Sequence, residues 1–178
     1  MTQRGAPTPQ TSDLFAPPLI RRMACWLYEG MLLFGVMVTA GLAYFIAAYW
    51  LTGLAPGEMS MHPQLKSGLQ AISFFVLGVY FTWFWHRGQT LAMKTWRIEI
   101  VDAMGHRLSR KTAFKRYIAS WLWFMPPVAA TAPFHLPAIE VGLFTLGWVL
   151  VWALLSRLRS DRQFWHDAWA GTRLISVD

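Results

Sequence analysis

The chain has 178 residues, of which 55% are apolar and only 14% carry a formal charge. A net charge of +7 is typical of many nucleic-acid-binding proteins, but no helix-turn-helix, zinc-finger or RNA-binding motif accompanies it. The apolar content indicates an integral membrane protein. The single cysteine excludes an internal disulfide.

The positive charges lie in three segments that flank nearly uncharged apolar stretches. All Lys and Arg residues except Lys66 lie at or before Arg22, between Arg87 and Arg116, or from Arg157 onward. Basic side chains are retained on the cytoplasmic face of a membrane. The pattern therefore predicts a multi-pass membrane protein with both termini cytoplasmic. Its expected partners are the lipid bilayer and anionic headgroups, and not nucleic acid.

Four apolar runs predict four transmembrane helices, at about 23–51, 67–86, 112–132 and 139–158. The third run contains Pro126 and Pro127, which should kink or end a helix. A re-entrant segment is the alternative there. Because the basic residues on either side of the last two runs should face the cytoplasm, an even number of crossings must separate them, which favours four spans.

The remaining segments predict a small cytoplasmic region. Alternating polar and apolar residues predict a β element in which about 96–108 pairs with 172–177. Residues Ser160 to Gln163 fit a capping box, so a short interfacial helix is expected over 161–170. The fold class is thus an all-α membrane protein with a small β element. The polar residues 1–18 are expected to be a disordered cytoplasmic tail, and 19–178 to form the transmembrane domain.

Glu29 is the only acid in the first apolar run. An ionised acid inside a membrane is costly, so such residues are candidates for an ion or proton site. The alternatives are that Glu29 lies close enough to the headgroups to be hydrated, or that it pairs with Arg22. Arg22 lies seven residues earlier, about two helical turns away.

His166 and Asp167 form the second candidate. A histidine near the membrane surface can relay protons near neutral pH, and Asp167 could neutralise a cytoplasmic arginine. Adjacent helical side chains point about 100° apart, so the pair is not expected to be a ready-made dyad. A surface helix with solvated polar positions is the alternative.

Motifs for enzymatic chemistry are absent from the sequence. It contains no phosphate loop, nucleotide fingerprint, nucleophile elbow or zincin motif. His62, His86, His106 and His135 are scattered without the spacing of metal ligands. We therefore expect no catalytic residues, no metal and no cofactor.

Several segments resemble the RDD family of small bacterial membrane proteins, over roughly Leu19 to Val177. The residues that carry the resemblance are Arg22 with an acid at Glu29, Gly88-Gln89-Thr90, Asp102 with Gly105, Arg116, and His166-Asp167 with Gly171-Thr172. The resemblance implies that Arg22 is the family arginine and Asp167 one of two family aspartates. The other aspartate falls on Glu29, which keeps the charge and lengthens the side chain.

The resemblance leaves the activity open. Many family members are described with three spans, whereas the charge pattern here favours four. Some members are similar to cation/proton antiporters, which implies a monovalent cation (sodium)/proton antiporter that uses Glu29 and works as an oligomer. The other hypothesis is a non-enzymatic transport-related or scaffold component that forms a homo-oligomer or binds another membrane protein.

Overall fold

A computed structural model describes residues 16–177, and these are mostly helical. The elements in chain order are α1 (Leu19–Thr52), α2 (Pro56–Met61), α3 (Pro63–His86), α4 (Leu91–Thr95), β1 (Ile98–Asp102), α5 (Arg110–Ser120), α6 (Met125–Thr131), α7 (Ala138–Leu155), α8 (Trp165–Ala170) and β2 (Thr172–Ser176). The expected disordered tail, 1–18, lies outside the described residues except for its last three.

Within residues 16–177, three helices are long and apolar enough to cross a membrane: Leu19–Thr52, Pro63–His86 and Ala138–Leu158. They contain the spans predicted at 23–51, 67–86 and 139–158. Their outer faces expose large apolar side chains, including Phe34, Phe75 and Leu143. Such a surface is unfavourable in water and suits a lipid environment.

The span predicted at 112–132 is not one continuous helix, so four spans are not confirmed. α5 ends at Ser120, a 3₁₀ turn follows, and α6 starts at Met125. Pro126 and Pro127 cause the break, because proline lacks the amide that would continue the helix and is tolerated in a first turn. The Leu122 carbonyl near the break accepts a 2.9 Å hydrogen bond from Trp148 Nε1 of α7.

The predicted β element is confirmed as a two-stranded antiparallel sheet. Ile98 pairs with Ser176 and Asp102 with Thr172. Strand β1 is shorter than the predicted range 96–108, because the chain turns after Asp102. The Asp102 carboxylate accepts hydrogen bonds from the amides of Met104 and His106, and Gly105 adopts φ 86°.

The helix predicted over 161–170 starts later, at Trp165. The expected capping box does not form, because its residues make other contacts. Asp161 pairs with Arg159 at 2.9 Å, and Arg162 has a positive φ of 51°. The predicted stop at Gly171 is confirmed, since Gly171 caps α8 in the left-handed conformation at φ 71°.

The buried core lies at one end of the helices, where α4, β1, α8 and β2 form what we call the platform. The start of α1 is fixed there, since Arg21 Nε donates to the Trp96 carbonyl at 2.6 Å and Nη2 to the Arg97 carbonyl at 2.7 Å. Helix α5 packs closely on α3, because Gly78 leaves room for the Tyr117 ring. The core side chains are Cys25, Trp85, Ala92, Met93, Ile98, Ile100, Leu108, Ala113, Tyr117, Trp123, Val149, Ala153, Phe164 and Leu174.

Candidate functional site

The centre of the candidate site is a buried ion pair between α5 and α8. Arg116 Nη2 lies 2.7 Å from Asp167 Oδ1, and the two side chains are 6% and 0% exposed. The Arg116 guanidinium also stacks over the Trp85 ring, 4.1 Å from its centroid. A cation held between a carboxylate and an aromatic face retains electrostatic partners after losing water.

His166 joins this pair, although adjacent helical positions were not expected to bring it into a ready-made dyad with Asp167. Its Nε2 lies 3.1 Å from Asp167 Oδ1, and its Nδ1 lies 3.0 Å from Trp123 Nε1. An indole nitrogen only donates, so Nδ1 must be the acceptor and the ring proton sits on Nε2. Trp123 and stacking on Phe164 thus orient the His166 ring so that Nε2 faces the Asp167 carboxylate.

The surroundings of Asp167 favour its ionised form. Burial by itself raises the pKa of this carboxyl, but the interactions with Arg116, His166 and Arg22 together outweigh burial and lower the pKa from 3.8 to about 2. The backbone carbonyl of Asp167 accepts a hydrogen bond from Thr172 Oγ1 at 3.1 Å. The Asp167 side chain is therefore an anion that holds α8 against Arg116, while its backbone carbonyl orders the start of β2.

Arg22 lies beside this group and is only 5% exposed. Its guanidinium lies 4.2 Å from the Phe164 ring centroid, and Nη2 contacts Ser156 Oγ at 3.5 Å. Within the described residues, five buried polar atoms of this group have no hydrogen-bond partner: Arg22 Nε and Nη1, Arg116 Nε, and Asp167 Oδ1 and Oδ2.

Glu29 lies apart from the group around Asp167 and is not paired with Arg22. In the described part of the chain, no basic nitrogen lies within 4.0 Å of its carboxylate. It is 7% exposed, so it is not hydrated at the surface. Tyr80 Oη donates to its Oε1 at 2.6 Å, and Thr90 Oγ1 donates to its Oε2. Glu29 thus bonds to hydroxyl groups from α3 and from the start of α4.

The Gly88-Gln89-Thr90 segment explains how Thr90 reaches Glu29. Gly88 adopts φ 96°, a conformation that favours glycine, and its carbonyl accepts from the Ile100 amide at 2.8 Å. Gln89 Nε2 donates to the Ile98 carbonyl at 2.9 Å. Thr90 then caps α4, accepting from the Met93 amide at 3.2 Å. The segment therefore joins β1, α4 and Glu29.

A model of the RDD family matches residues 16–171. This chain belongs to the RDD family. No curated protein and no solved structure matches it. The residues expected to carry the family name separate into two places: Arg22 and Asp167 lie in one buried group with Arg116, whereas Glu29 lies among the hydroxyl groups of α3 and α4.

Sequence reasoning missed four residues of the site: Tyr80, Trp123, Ser156 and Gln163. A tyrosine or serine in an apolar run is a weak signal for a polar contact, and nothing in the sequence marks Trp123 as the partner of His166. Gln163 was assigned to a cap, but its side-chain amide donates to the Leu174 carbonyl and accepts from the Leu174 amide, both at 2.9 Å. It therefore completes the free edge of β2.

Proposed function

We propose that the chain crosses the bacterial inner membrane four times and keeps both termini and the platform in the cytoplasm. Strand β1 follows α3 and its partner β2 follows α7, so the chain between them leaves the platform end and returns to it. An even number of crossings achieves this, with α5 and α6 as a broken outward crossing. The arginine-rich segments then lie on the cytoplasmic side.

The function we assign is that of a non-enzymatic membrane component whose platform is a docking surface for another membrane-associated protein. The observation that supports this proposal is that the buried polar side chains bond different helices to one another. Arg116 with Asp167 joins α5 to α8, Glu29 joins α1 to α3 and α4, and Arg22 joins α1 to the end of α7. Two of these contacts fix the platform to helices outside it: Glu29 holds α1 against the start of α4, and Arg116 holds α5 against α8.

Site-specific photocrosslinking in cells tests this function. Met104 is an exposed apolar residue in the turn after β1, and His135 is exposed between α6 and α7. A crosslinking amino acid at position 104 should yield one discrete adduct, which the same group at 135 does not give. Identical adducts from both positions, or none from 104, would contradict the docking role.

Exchange of a monovalent cation for a proton is the second candidate, and the surroundings of Glu29 favour it. Its carboxylate has hydroxyl neighbours and no arginine or lysine within ion-pair distance among residues 16–177. Hard cations bind oxygen ligands of this kind, and the same carboxylate could hold a proton instead. A protein with so few helices would carry out exchange as a homo-oligomer.

Flux measurements in proteoliposomes test this second function with Na⁺, K⁺ and Li⁺. Glu29→Gln keeps the shape of the side chain and removes its charge. Glu58→Gln is the matched control, because Glu58 is an exposed acid of α2. Exchange requires cation-dependent proton flux that is lost in the first variant and kept in the second. Flux that is absent from the wild type, or unchanged in Glu29→Gln, rules it out.

A further inference from the structure

A cleft of about 490 Å³ lies between the end of α3 and the start of α5. Three arginines line it: Arg87 just after α3, Arg107 in the loop before α5, and Arg110 at the first position of α5. Trp83 forms part of the same wall. This cleft is separate from the buried group around Asp167 and from Glu29.

The positive charge of the cleft is not neutralised by the protein. Within residues 16–177, no carboxylate lies within 4.0 Å of a guanidinium nitrogen of the three arginines, and no acidic side chain is among the lining residues. Other arginines of the chain do have acidic partners, as Arg116 and Arg159 show. A concave surface with three unpaired guanidinium groups concentrates positive potential and attracts an anion.

The walls of the cleft are held in place before any ligand binds. His86 Nδ1 donates to the Leu108 carbonyl at 2.7 Å, which ties the loop to the end of α3. The guanidinium of Arg87 stacks over Trp83, 4.4 Å from the ring centroid. Ser109 caps α5 by accepting from the Thr112 amide at 3.1 Å. A preorganised site loses less conformational entropy on binding.

We propose that this cleft binds a phosphate group, either that of an anionic lipid headgroup or that of free phosphate. Guanidinium groups bind phosphate oxygens through paired hydrogen bonds, and three of them can share one phosphate. The cleft lies at the end of a spanning helix and beside a tryptophan, the depth at which headgroup phosphates lie. Its volume exceeds that of a phosphate ion and leaves room for an attached glycerol.

Two measurements on the intact, purified protein distinguish the two sources. The first titrates inorganic phosphate into protein in detergent and records the heat of binding. The second uses nanodiscs that contain equal amounts of phosphatidylglycerol and phosphatidylcholine, followed by native mass spectrometry of retained lipid. Binding in the first measurement identifies free phosphate, and preferential retention of phosphatidylglycerol in the second identifies a lipid headgroup.

Arginine-to-glutamine variants connect either result to the cleft. Each of Arg87→Gln, Arg107→Gln and Arg110→Gln should weaken binding about fivefold, and the triple variant on the order of 100-fold. Arg157→Gln is the matched control, because Arg157 is an exposed arginine outside the cleft. All four side chains are exposed, so the variants should fold. Equal losses in the control and in the cleft variants, or no selective binding in either measurement, would overturn the proposal.

Discussion

Arg116 and Asp167 form an ion pair from which water is excluded, with 2.7 Å between Nη2 and Oδ1 and a side-chain exposure of 6% and 0%. A buried ion pair of this kind adds little stability compared with two apolar residues of similar size. The loss of one partner, however, leaves an isolated charge in the interior and is strongly destabilising. The pair therefore makes the position of α8 against α5 depend on both residues being present.

Asp167→Asn should lower the free energy of unfolding by about 3–5 kcal/mol, because the Arg116 charge stays buried without its counterion. Unfolding in mixed detergent micelles measures this change. The double variant Arg116→Met with Asp167→Leu should regain most of the loss. Arg159→Gln is the control, since its pair with Asp161 lies nearer the surface, and it should change stability by about 1 kcal/mol or less. A loss no larger for Asp167→Asn than for the control would show that the buried pair does not secure α8.

The low pKa of Asp167 predicts how stability depends on acidity. The folded-state pKa of Asp167, about 2, lies below the ordinary aspartate value of 3.8. The stability that ionised Asp167 contributes is therefore fully present above about pH 4 and is lost as the pH falls through about 2. The contribution amounts to about 2 kcal/mol. Unfolding measured between pH 6 and pH 2 should show this decline in the wild type. If Asp167→Asn declines equally, Asp167 is not the group responsible.

The hydrogen bond from Trp123 predicts the tautomer of His166. The indole N–H donor faces Nδ1, so Nδ1 should accept and the ring proton should occupy Nε2. Nitrogen-15 chemical shifts of labelled protein distinguish this form from the alternatives. Trp123→Phe removes the donor and should cost about 1 kcal/mol. A proton found on Nδ1 in the wild type would contradict the assigned geometry.

Gln163 should protect the outer edge of the sheet. In Gln163→Ala both the amide and the carbonyl of Leu174 lose their partner, which should cost about 2–4 kcal/mol. Hydrogen exchange at the Leu174 amide should become much faster. Gln89→Ala is the comparison, because it removes only one donor, to the Ile98 carbonyl, and should have a smaller effect. Exchange at Leu174 that stays slow would show that Gln163 is not needed at this edge.

The parts of the fold that depend on local sequence could be predicted. Long uncharged runs indicated the three helices that are long and apolar enough to span a membrane. Alternation indicated the two strands, because a strand buried on one face alternates polar and apolar residues. The end of α8 at Gly171 could also be predicted, because it depends only on the local sequence. The start of α8 was predicted four residues too early, because Gln163 bonds to Leu174 on a strand instead of capping the helix. Helix propensity near the expected start carries no information about a hydrogen-bond partner 11 residues away.

The sequence predicted which residues belong to the candidate site better than it predicted which residues they contact. Arg22, Glu29, His166 and Asp167 are all buried, as charged or polar residues with a specific role should be. Their partners come from distant parts of the chain: Arg116 is 51 residues from Asp167, and Tyr80 is 51 residues from Glu29. Contacts over such separations depend on how helices pack, and a single sequence does not encode that packing locally.

Labelling of single cysteines in intact spheroplasts tests the four-crossing arrangement most directly. In a Cys25→Ala background, a membrane-impermeant maleimide is applied to Glu58→Cys, His135→Cys and Ser176→Cys, all exposed positions. The arrangement predicts labelling at 58 and 135, and labelling at 176 only after the membrane is opened. Labelling of position 176 from outside, or protection of position 135, would contradict it.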